Sequence, residues 1–469
     1  MSIDSKFLTA VIPSAEILYN PLPTTVTFTV DSRTVTQGQI FVALQGVQQD
    51  GHDFLAGAIE KGCAGLLMAH EKKNKLASLD AAKLKNLCII LVPDPLQALI
   101  SLATVWRQQF STPVVAITGS IGKTSTKNIL GAILKHNGNN YLVSHGNQNT
   151  VIGVALNLLR LNPSHDGALF EVGINQRGEM ARIITMLRPT SALITYIGHS
   201  HMEGLGTLSD IAVEKREIFK FFQENNIGFV NGDLPILAQV AYPHPVIKFG
   251  LKTTNQIQAR KVVYDSFSAT GVLKIYKDKY PIKLPNNHAG ALLNTLGAVA
   301  VAHHLGVPNE VIVDAIQKPI IVEGRFERRQ LKSFKGLIIN DCYNASPESM
   351  KAALLAFQKV ETGAQKIAIL GDMLELGSDS AFWHRQLGRF LRKVPTVKQV
   401  ILVGSMTKWT KKTVPVGVSV VLVPSWQEAL VKVQEFLAQE SIILVKGSRG
   451  VGLYNLVNNL AEPVTQASV

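Results

Sequence analysis

The sequence predicts an α/β protein of three domains. Its 469 residues correspond to roughly three domains at about 150 residues each. Short segments rich in β-branched residues alternate with helical patterns, which is typical of parallel sheets covered by helices on both faces. The hydrophobic fraction of 46% is sufficient for a packed core in each domain. We expect the domains to span residues 1–93, 94–319 and 320–469.

Apolar segments mark the strands and helices of three consecutive α/β blocks. The third block has a doubly wound pattern but lacks the motif GxGxxG, so we do not expect it to bind a nicotinamide cofactor. The predicted strands are 26–30, 39–44, 63–69 and 88–92 in the first block, 114–118, 168–172, 191–197 and 227–231 in the second, and 337–341, 366–371, 399–404, 419–423 and 441–445 in the third. The predicted helices are 54–61, 96–109, 123–136, 211–222, 292–305, 347–359, 380–393 and 426–438.

Composition and charge restrict the class of function. The net charge is +13, but the basic residues are scattered and lack interleaved aromatic residues, which favours anionic small-molecule ligands over nucleic acid. Cys63, Cys88 and Cys342 are far apart and form no CxxC pair, so we expect a reducing compartment and no zinc site. We predict neither a signal peptide nor a membrane span, because no apolar run of about 18 residues occurs. We therefore expect a cytoplasmic protein, and a monomer.

The segment TGSIGKTS has the composition of a phosphate-binding loop between a strand and a helix. Glycines allow the backbone close to phosphate oxygens, the helix N-terminus directs N–H groups at them, and Lys123 adds a positive charge. The hydroxyl of Thr124 or Ser125 can bind Mg²⁺. Because Ile117 stands where the longer loop has glycine, this is a shortened GxxGKT form. The expected nucleotide contacts are Gly119, Ser120, Ile121, Gly122, Lys123, Thr124 and Ser125.

Three more polar residues follow strands of the same predicted sheet. Glu171 lies near the end of strand 168–172, and His199 and His201 follow strand 191–197. Because the carboxyl ends of neighbouring parallel strands meet at one edge, where ligands bind, Glu171 is a candidate metal ligand. The alternative, for each of these residues taken alone, is a solvent-exposed side chain with no role in ligand binding.

Lys215 falls within the apolar face of the predicted helix 211–222. Ile211, Ile218 and Phe222 mark that face by helical spacing. Burial would lower the pKa of the lysine and leave a nucleophilic amine. The alternative is a lysine at the helix edge whose ammonium reaches solvent.

Polar groups also follow strands of the third block. Residues 341–347 (DCYNASP) come after strand 337–341 and open a helix, where they suit a ribose or base, although the same residues could serve as an N-cap and first turn. Arg325 and the segment 446–449 (KGSR) place cations near any anionic ligand held between domains.

Together these segments resemble the Mur ligase family, ATP-dependent amide-forming enzymes of peptidoglycan synthesis. The resemblance runs over nearly the whole chain. The segments that carry it are 31–33, 39–44, 46, 50–52, 118–125, 146–149, 152–154, 171–175, 340–347 and 370–377, with His384.

The resemblance implies a small N-terminal α/β domain that binds a UDP-sugar, a central P-loop ATPase-like domain with a parallel sheet, and a C-terminal Rossmann-like domain. It implies ATP and two Mg²⁺ ions, with UDP-MurNAc-tripeptide and D-Ala-D-Ala as substrates. The implied catalytic residues are Lys123, Glu171, His201 and Lys215, of which Lys215 becomes carbamylated. Thr124, Glu171, His201 and the modified Lys215 are the implied Mg²⁺ ligands. Other implied contacts are Asn294, Arg325 and Asp341 for ATP, and Ser32, Arg33, Asn147, Asn149 and Asn344 for substrates.

One departure from the family pattern and two competing interpretations remain. His288 is followed by Ala289, and Asn294 comes six positions after the histidine, where the family usually has His-Asn and a second Asn three residues on. Folylpolyglutamate synthase shares the loop and the overall reaction, but is not expected to carry the block Asp31 to Arg33. A nucleotide-hydrolysing switch usually has the longer phosphate loop and an aspartate where Glu171 stands.

Overall fold

The computed structural model describes residues 3–23, 26–332, 335–360, 364–437 and 440–462. Its strands are β1 Glu16–Tyr19, β2 Phe28–Thr29, β3 Ile40–Val42, β4 Gly65–Ala69, β5 Cys88–Val92, β6 Val114–Thr118, β7 Tyr141–Val143, β8 Gly167–Glu171, β9 Ser191–Ile194, β10 Ile227–Asn231, β11 Val246–Gly250, β12 Ile257–Tyr264, β13 Ala269–Ile275, β14 Asp278–Leu284, β15 Glu327–Gln330, β16 Lys335–Asn340, β17 Gln365–Gly371, β18 Gln399–Val403, β19 Ser419–Val423 and β20 Glu440–Lys446.

The helices alternate with these strands, as the sequence predicts for an α/β protein. They are α1 Ser5–Val11, α2 Leu55–Glu60, α3 Ala81–Leu84, α4 Pro95–Gln108, α5 Lys123–His136, α6 Val151–Leu158, α7 Glu179–Leu187, α8 Met202–Leu205, α9 Leu208–Arg216, α10 Pro235–Ala238, α11 Ala289–His304, α12 Asn309–Ile316, α13 Pro347–Gln358, α14 Ser380–Phe390, α15 Lys408–Lys411, α16 Trp426–Phe436 and α17 Leu453–Leu460.

The chain forms two compact units, and the boundary falls within strand β6, between Ala116 and Ile117. The first unit comprises Met1–Ala116, Asn140–Ile174 and Gly178–Thr190. The second unit comprises Ile117–Asn139, Asn175–Arg177 and Ser191–Val469.

The first unit contains a five-stranded sheet with the order β1-β5-β4-β3-β2. Strand β1 runs antiparallel to β5, and the other pairs are parallel. Its core includes Phe41, Leu66 and Leu91, which are at most 1% exposed. Strands β7 and β8 form a parallel pair, and the Ala168 N–H donates to the Pro113 carbonyl just before β6.

The second unit begins with the end of β6. Strand β9 lies beside it and is the first of several strands that pair in parallel. The Thr195 N–H donates to the Thr118 carbonyl at 2.9 Å, and β9, β10, β11 and β12 follow one another in parallel. Strands β12, β13 and β14 then continue the sheet in antiparallel order. The prediction of a purely parallel central sheet is therefore incomplete. The antiparallel part of the sheet has one face that is partly exposed to solvent. In β12, for example, the second half of the strand alternates between half-buried and exposed residues, whereas every residue of β6 and β9 is buried.

The same unit contains a six-stranded sheet with the order β15-β16-β20-β17-β18-β19. All of its pairs are parallel except β15 with β16, which is antiparallel. One core cluster contains residues of α13 and α14, and another contains residues of α16 and α17. This layered parallel sheet confirms the doubly wound pattern of the third block, with β15 as an unpredicted edge strand.

Local patterns locate buried elements closely. Four predicted strands and one predicted helix agree with the observed bounds to the residue. They are β5 at 88–92, β6 at 114–118, β10 at 227–231, β19 at 419–423 and α5 at 123–136. The predicted helix 211–222 is wrong in extent, because α9 spans Leu208–Arg216 and a 3-10 turn follows over Glu217–Phe219.

Candidate active site

The phosphate-binding loop connects β6 to α5 within the second unit. Gly122 is the N-cap of α5 with φ +91°, and among the described residues no side chain caps the first turn of this helix. The positive end of the helix dipole and the first-turn N–H groups are therefore available to an anion. The Lys123 Nζ donates to the Gly119 carbonyl at 2.9 Å, so the ammonium lies across the loop. Thr124 and Ser125 occupy the first turn, half-buried.

The segment after β9 holds this loop in shape. The Ser120 N–H donates to the Tyr196 carbonyl at 2.7 Å, and the Ser120 hydroxyl donates to the Gly198 carbonyl at 2.9 Å. The Thr195 hydroxyl donates to the Ile121 carbonyl at 2.5 Å. The loop is therefore held in shape by hydrogen bonds to the segment that follows a neighbouring strand.

Gly119 is required for this close approach, which a comparison with Gly138 can test. A Cβ at Gly119, where φ is +148°, would lie 2.0 Å from the Thr195 Oγ1, whereas one at Gly138, where φ is +86°, would meet nothing within 4 Å. We expect Gly138→Ala to lower the free energy of unfolding by about 1 kcal/mol through backbone strain. Gly119→Ala should cost about 2–4 kcal/mol, since a clash is added, and should also reduce ATP binding. Thermal unfolding and ATP titration measure both effects; equal losses for the two variants would contradict this account.

Lys215 is completely buried in α9, and its Nζ has no hydrogen-bond partner among the described residues. The predicted apolar face is confirmed, because Ile211, Ile218 and Phe222 are all buried. Burial holds the pKa of Lys215 well below its ordinary value, and the nearby Lys123 ammonium lowers it further. The structure therefore contradicts the alternative of a lysine that reaches solvent, and burial favours the neutral amine of Lys215.

His199 and His201 each meet a carboxylate from the C-terminal part of the same unit. The His199 Nδ1 lies 2.5 Å from the Glu348 Oε1, and the His201 Nδ1 lies 2.6 Å from the Glu375 Oε2. The hydrogen bond from His201 lowers the pKa of Glu375, although burial opposes this effect, and Lys123 contributes a smaller lowering. Both histidines are thus half-buried and paired rather than solvent-exposed, while the role of His201 in metal binding stays a prediction.

Glu348 and Glu375 were not predicted as site residues. Both lie within or beside segments that the family resemblance includes, 340–347 and 370–377. Their pairing with histidines about 150 and 170 positions away carries no local sequence signal.

A cavity of about 240 Å³ opens beside the phosphate-binding loop. Residues from the loop, from α11 and from the C-terminal sheet line it, including Gly122, His288, Asn294, Arg325, Asp341 and Lys446. Asn294 packs against the loop, because a Cβ on Gly122 would lie 2.2 Å from its Oδ1. His288 and Asn294 therefore line one cavity despite their unusual spacing in the sequence.

Asp341 and Arg325 both line this cavity, and each is held there by contacts with other residues. The Asp341 Oδ2 lies 2.7 Å from the Lys446 Nζ, and its Oδ1 accepts the Phe326 N–H at 3.1 Å. The Lys446 Nζ also donates to the Asn344 carbonyl at 3.0 Å. The Arg325 guanidinium carbon lies 4.1 Å from the centre of the Tyr343 ring. The cavity is thus lined by two cations, Arg325 and Lys446, and by two carboxylates, Asp341 and Glu348, a polar lining that suits a nucleotide.

Glu171 lies in the first unit, where it is 2% exposed rather than at a solvent-exposed strand end. Its Oε1 accepts the Asn149 amide at 2.8 Å, and its N–H donates to the Ser144 hydroxyl at 3.1 Å. Asn147 is exposed in the same loop as Asn149. The structure thus brings Glu171 and Asn149 together, as two neighbouring polar candidates.

The candidate residues Ser32 and Arg33 lie on the surface of the first unit. Arg33 is paired with Asp31 at 2.8 Å and is largely exposed, and the Ser32 carbonyl accepts the Lys61 ammonium at 3.1 Å. These contacts are consistent with an accessible substrate surface, and the binding roles of both residues stay predictions.

The metal ligands also stay predictions. Within the described ranges, no group of three or more His, Cys, Asp or Glu residues could hold a metal ion.

Comparison with known proteins defines the class. Three family profiles match: the Mur ligase family catalytic domain over residues 26–104, the Mur ligase middle domain over 117–302, and the Mur ligase glutamate ligase domain over 324–449. The chain belongs to the Mur ligase family. Among its relatives, UDP-N-acetylmuramoyl-tripeptide--D-alanyl-D-alanine ligase of Rickettsia prowazekii is 31% identical, over 91% of this chain and 93% of the relative.

Solved structures agree with this assignment. The fold is similar to that of MurF from Acinetobacter baumannii, with a TM-score of 0.83, 27% identity and 98% of each chain covered. It is also similar to MurF ligase from Thermotoga maritima in complex with ADP, with a TM-score of 0.76 and 27% identity over 92% of this chain and 96% of that one. The predicted three-domain α/β class is confirmed, while the boundaries at 93/94 and 319/320 stay predictions.

In the part of the chain that the structure describes, no helix is long and apolar enough to cross a membrane.

Proposed function

We propose that this chain joins D-alanyl-D-alanine to UDP-N-acetylmuramoyl-tripeptide at the expense of ATP, a step of peptidoglycan synthesis. The observation that carries this proposal is a shortened phosphate-binding loop that opens onto a cavity lined by Arg325, Asp341 and Lys446. The same reaction is named for relatives 31–32% identical over 91–92% of this chain.

The residues suit an acyl-phosphate mechanism. A carboxylate is a poor electrophile, so a tripeptide carboxylate oxygen first attacks the γ-phosphorus of ATP and ADP leaves. The amine of D-Ala-D-Ala then attacks the acyl carbon, loses a proton and expels phosphate. Lys123 and the first-turn N–H groups of α5 hold the phosphates, and Arg325 offsets the charge that develops during transfer.

Two Mg²⁺ ions and a carbamate on Lys215 complete the proposal. The buried, unpartnered amine of Lys215 fits a modification that converts it to a carboxylate-like group. Thr124, His201 and the modified Lys215 would hold metal in the second unit; the metal role of Glu171 rests on the family resemblance. Bound Mg²⁺ would neutralise phosphate charge during transfer.

Substrate contacts are proposed from the same resemblance. Ser32 and Arg33 would contact the UDP-sugar, and Asn147 and Asn149 would contact the peptidyl substrate. Asn344, whose carbonyl accepts the Lys446 ammonium, would act near the acceptor. Asn294 and Asp341 would contact the adenosine part of ATP.

Phosphate release should require both UDP-MurNAc-tripeptide and D-Ala-D-Ala, because neither substrate alone completes the transfer. Incubation with ATP and both substrates should give a product with the mass of the pentapeptide. Greater turnover with free D-alanine, L-glutamate or folate would refute the assignment. Rapid ATP hydrolysis without any acceptor would instead favour a nucleotide-hydrolysing switch.

A further inference from the structure

Arg325 sits in a turn with unusual backbone geometry. Gly324 has φ +67° and Phe326 has φ +55°, so left-handed residues flank it on both sides. For phenylalanine this conformation is disfavoured by contact of its Cβ with the backbone. The turn therefore needs hydrogen bonds from its surroundings to persist.

Glu327 supplies such bonds on one side of the turn. This residue is 5% exposed, and its Oε2 accepts hydrogen bonds from the Gly324 N–H at 3.0 Å and the Asn340 amide at 2.9 Å. Both donors are neutral and buried. Removal of this carboxylate would leave them without their acceptor, which is costly in a buried site.

Asp341 binds the other side of the turn that contains Arg325. Its Oδ1 accepts the Phe326 N–H, while its Oδ2 pairs with Lys446. Two acidic side chains thus bind the backbone N–H groups immediately before and after Arg325. The backbone of Arg325 is fixed between them.

Tyr343 fixes the direction of the Arg325 side chain. The guanidinium carbon lies 4.1 Å from the ring centre, and the Tyr343 N–H donates to the Gly324 carbonyl at 3.3 Å. A guanidinium stacked on a ring directs its N–H groups sideways, in the geometry that binds two phosphate oxygens at once. Arg325 lines the cavity beside the phosphate-binding loop.

We propose that Glu327 is a positioning residue, which sets the Arg325 guanidinium for the nucleotide phosphates through the Gly324 N–H. The proposal rests on the proposed role of Arg325 in phosphate binding. Glu327 does not itself touch the nucleotide, and its effect passes through the turn.

A double-mutant cycle tests this proposal. The dissociation constant of ADP is measured by calorimetry for R325A, E327A and the double variant. We expect R325A to weaken ADP binding about 10- to 100-fold, because a hydrogen bond between charged groups is lost. E327A should weaken ADP binding about tenfold. The double variant should bind no more weakly than R325A alone, because the two residues act in series. E327Q keeps an acceptor oxygen and should restore most of the affinity.

Asp233 provides a matched control, since its carboxylate also accepts backbone N–H groups of a turn, those of Leu251 and Lys252. D233A should reduce stability without changing ADP affinity. If the losses of E327A and R325A multiply, Glu327 does not act through Arg325 and the proposal is overturned. If R325A leaves ADP affinity unchanged, the proposed role of Arg325 fails first. Should E327A not fold, the cycle is run with E327M, which removes the acceptor but keeps most of the buried volume, and full additivity there also refutes the proposal.

Discussion

Lys123→Ala is expected to lower the rate of phosphate release about 10²–10³-fold or more. The ammonium crosses the loop at the Gly119 carbonyl and is the charge that this loop can direct at the transferred phosphate. An interaction that strengthens as charge develops in the transition state has an effect of this size. Single-turnover phosphate release measures the rate, and binding of the UDP-substrate should survive.

Lys135→Ala is a suitable control, because Lys135 lies in the same helix α5 and is exposed near its C-terminal end. Its replacement should leave the rate unchanged. A Lys123→Ala variant with near-normal kcat would show that the loop does not bind the reacting phosphates.

Lys215 is expected to carry a carbamate in the active enzyme, so that Lys215→Ala loses most of its activity, about 10²-fold or more. Burial favours the neutral amine, which attacks CO₂ to form a C–N bond with loss of a proton. The resulting anion offers oxygen atoms to Mg²⁺, whereas His201 offers only nitrogen. A carbamate carbon signal after labelling with ¹³CO₂ detects the group directly.

Three variants separate the chemistry of Lys215 from its packing. Lys215→Met preserves most of the buried volume without an amine, so it should remain folded but inactive. Lys215→Glu should recover part of the activity, because it offers a carboxylate on a shorter arm. Lys220→Ala, in the half-exposed pair with Glu217, should have no effect on turnover. Full activity of Lys215→Met, or an unmodified ammonium at Lys215 with Mg²⁺ bound elsewhere, would rule the carbamate out.

The sequence by itself determined the elements that depend on local pattern. Strand β6, helix α5 and the loop between them follow from four apolar residues, a threonine, two glycines and a lysine in sequence. The spacing of Ile211 and Ile218 places Lys215 on the apolar face, because residues three and four apart share a helix face, whereas its complete burial was decided by the structure. Membership of the family follows in the same way, since its motifs are short and contiguous.

The tertiary structure decided which distant side chains meet. His201 pairs with Glu375 and His199 with Glu348, while Asp341, expected at a ribose, is bound to Lys446 and to the Phe326 N–H. Strands β12 to β14 turn antiparallel, a choice set by pairing across neighbouring strands. Such contacts depend on how whole elements pack, and polar side chains at element ends carry no periodic signal. The local sequence therefore shows which groups are available, and only the packed fold determines which of them act on each other.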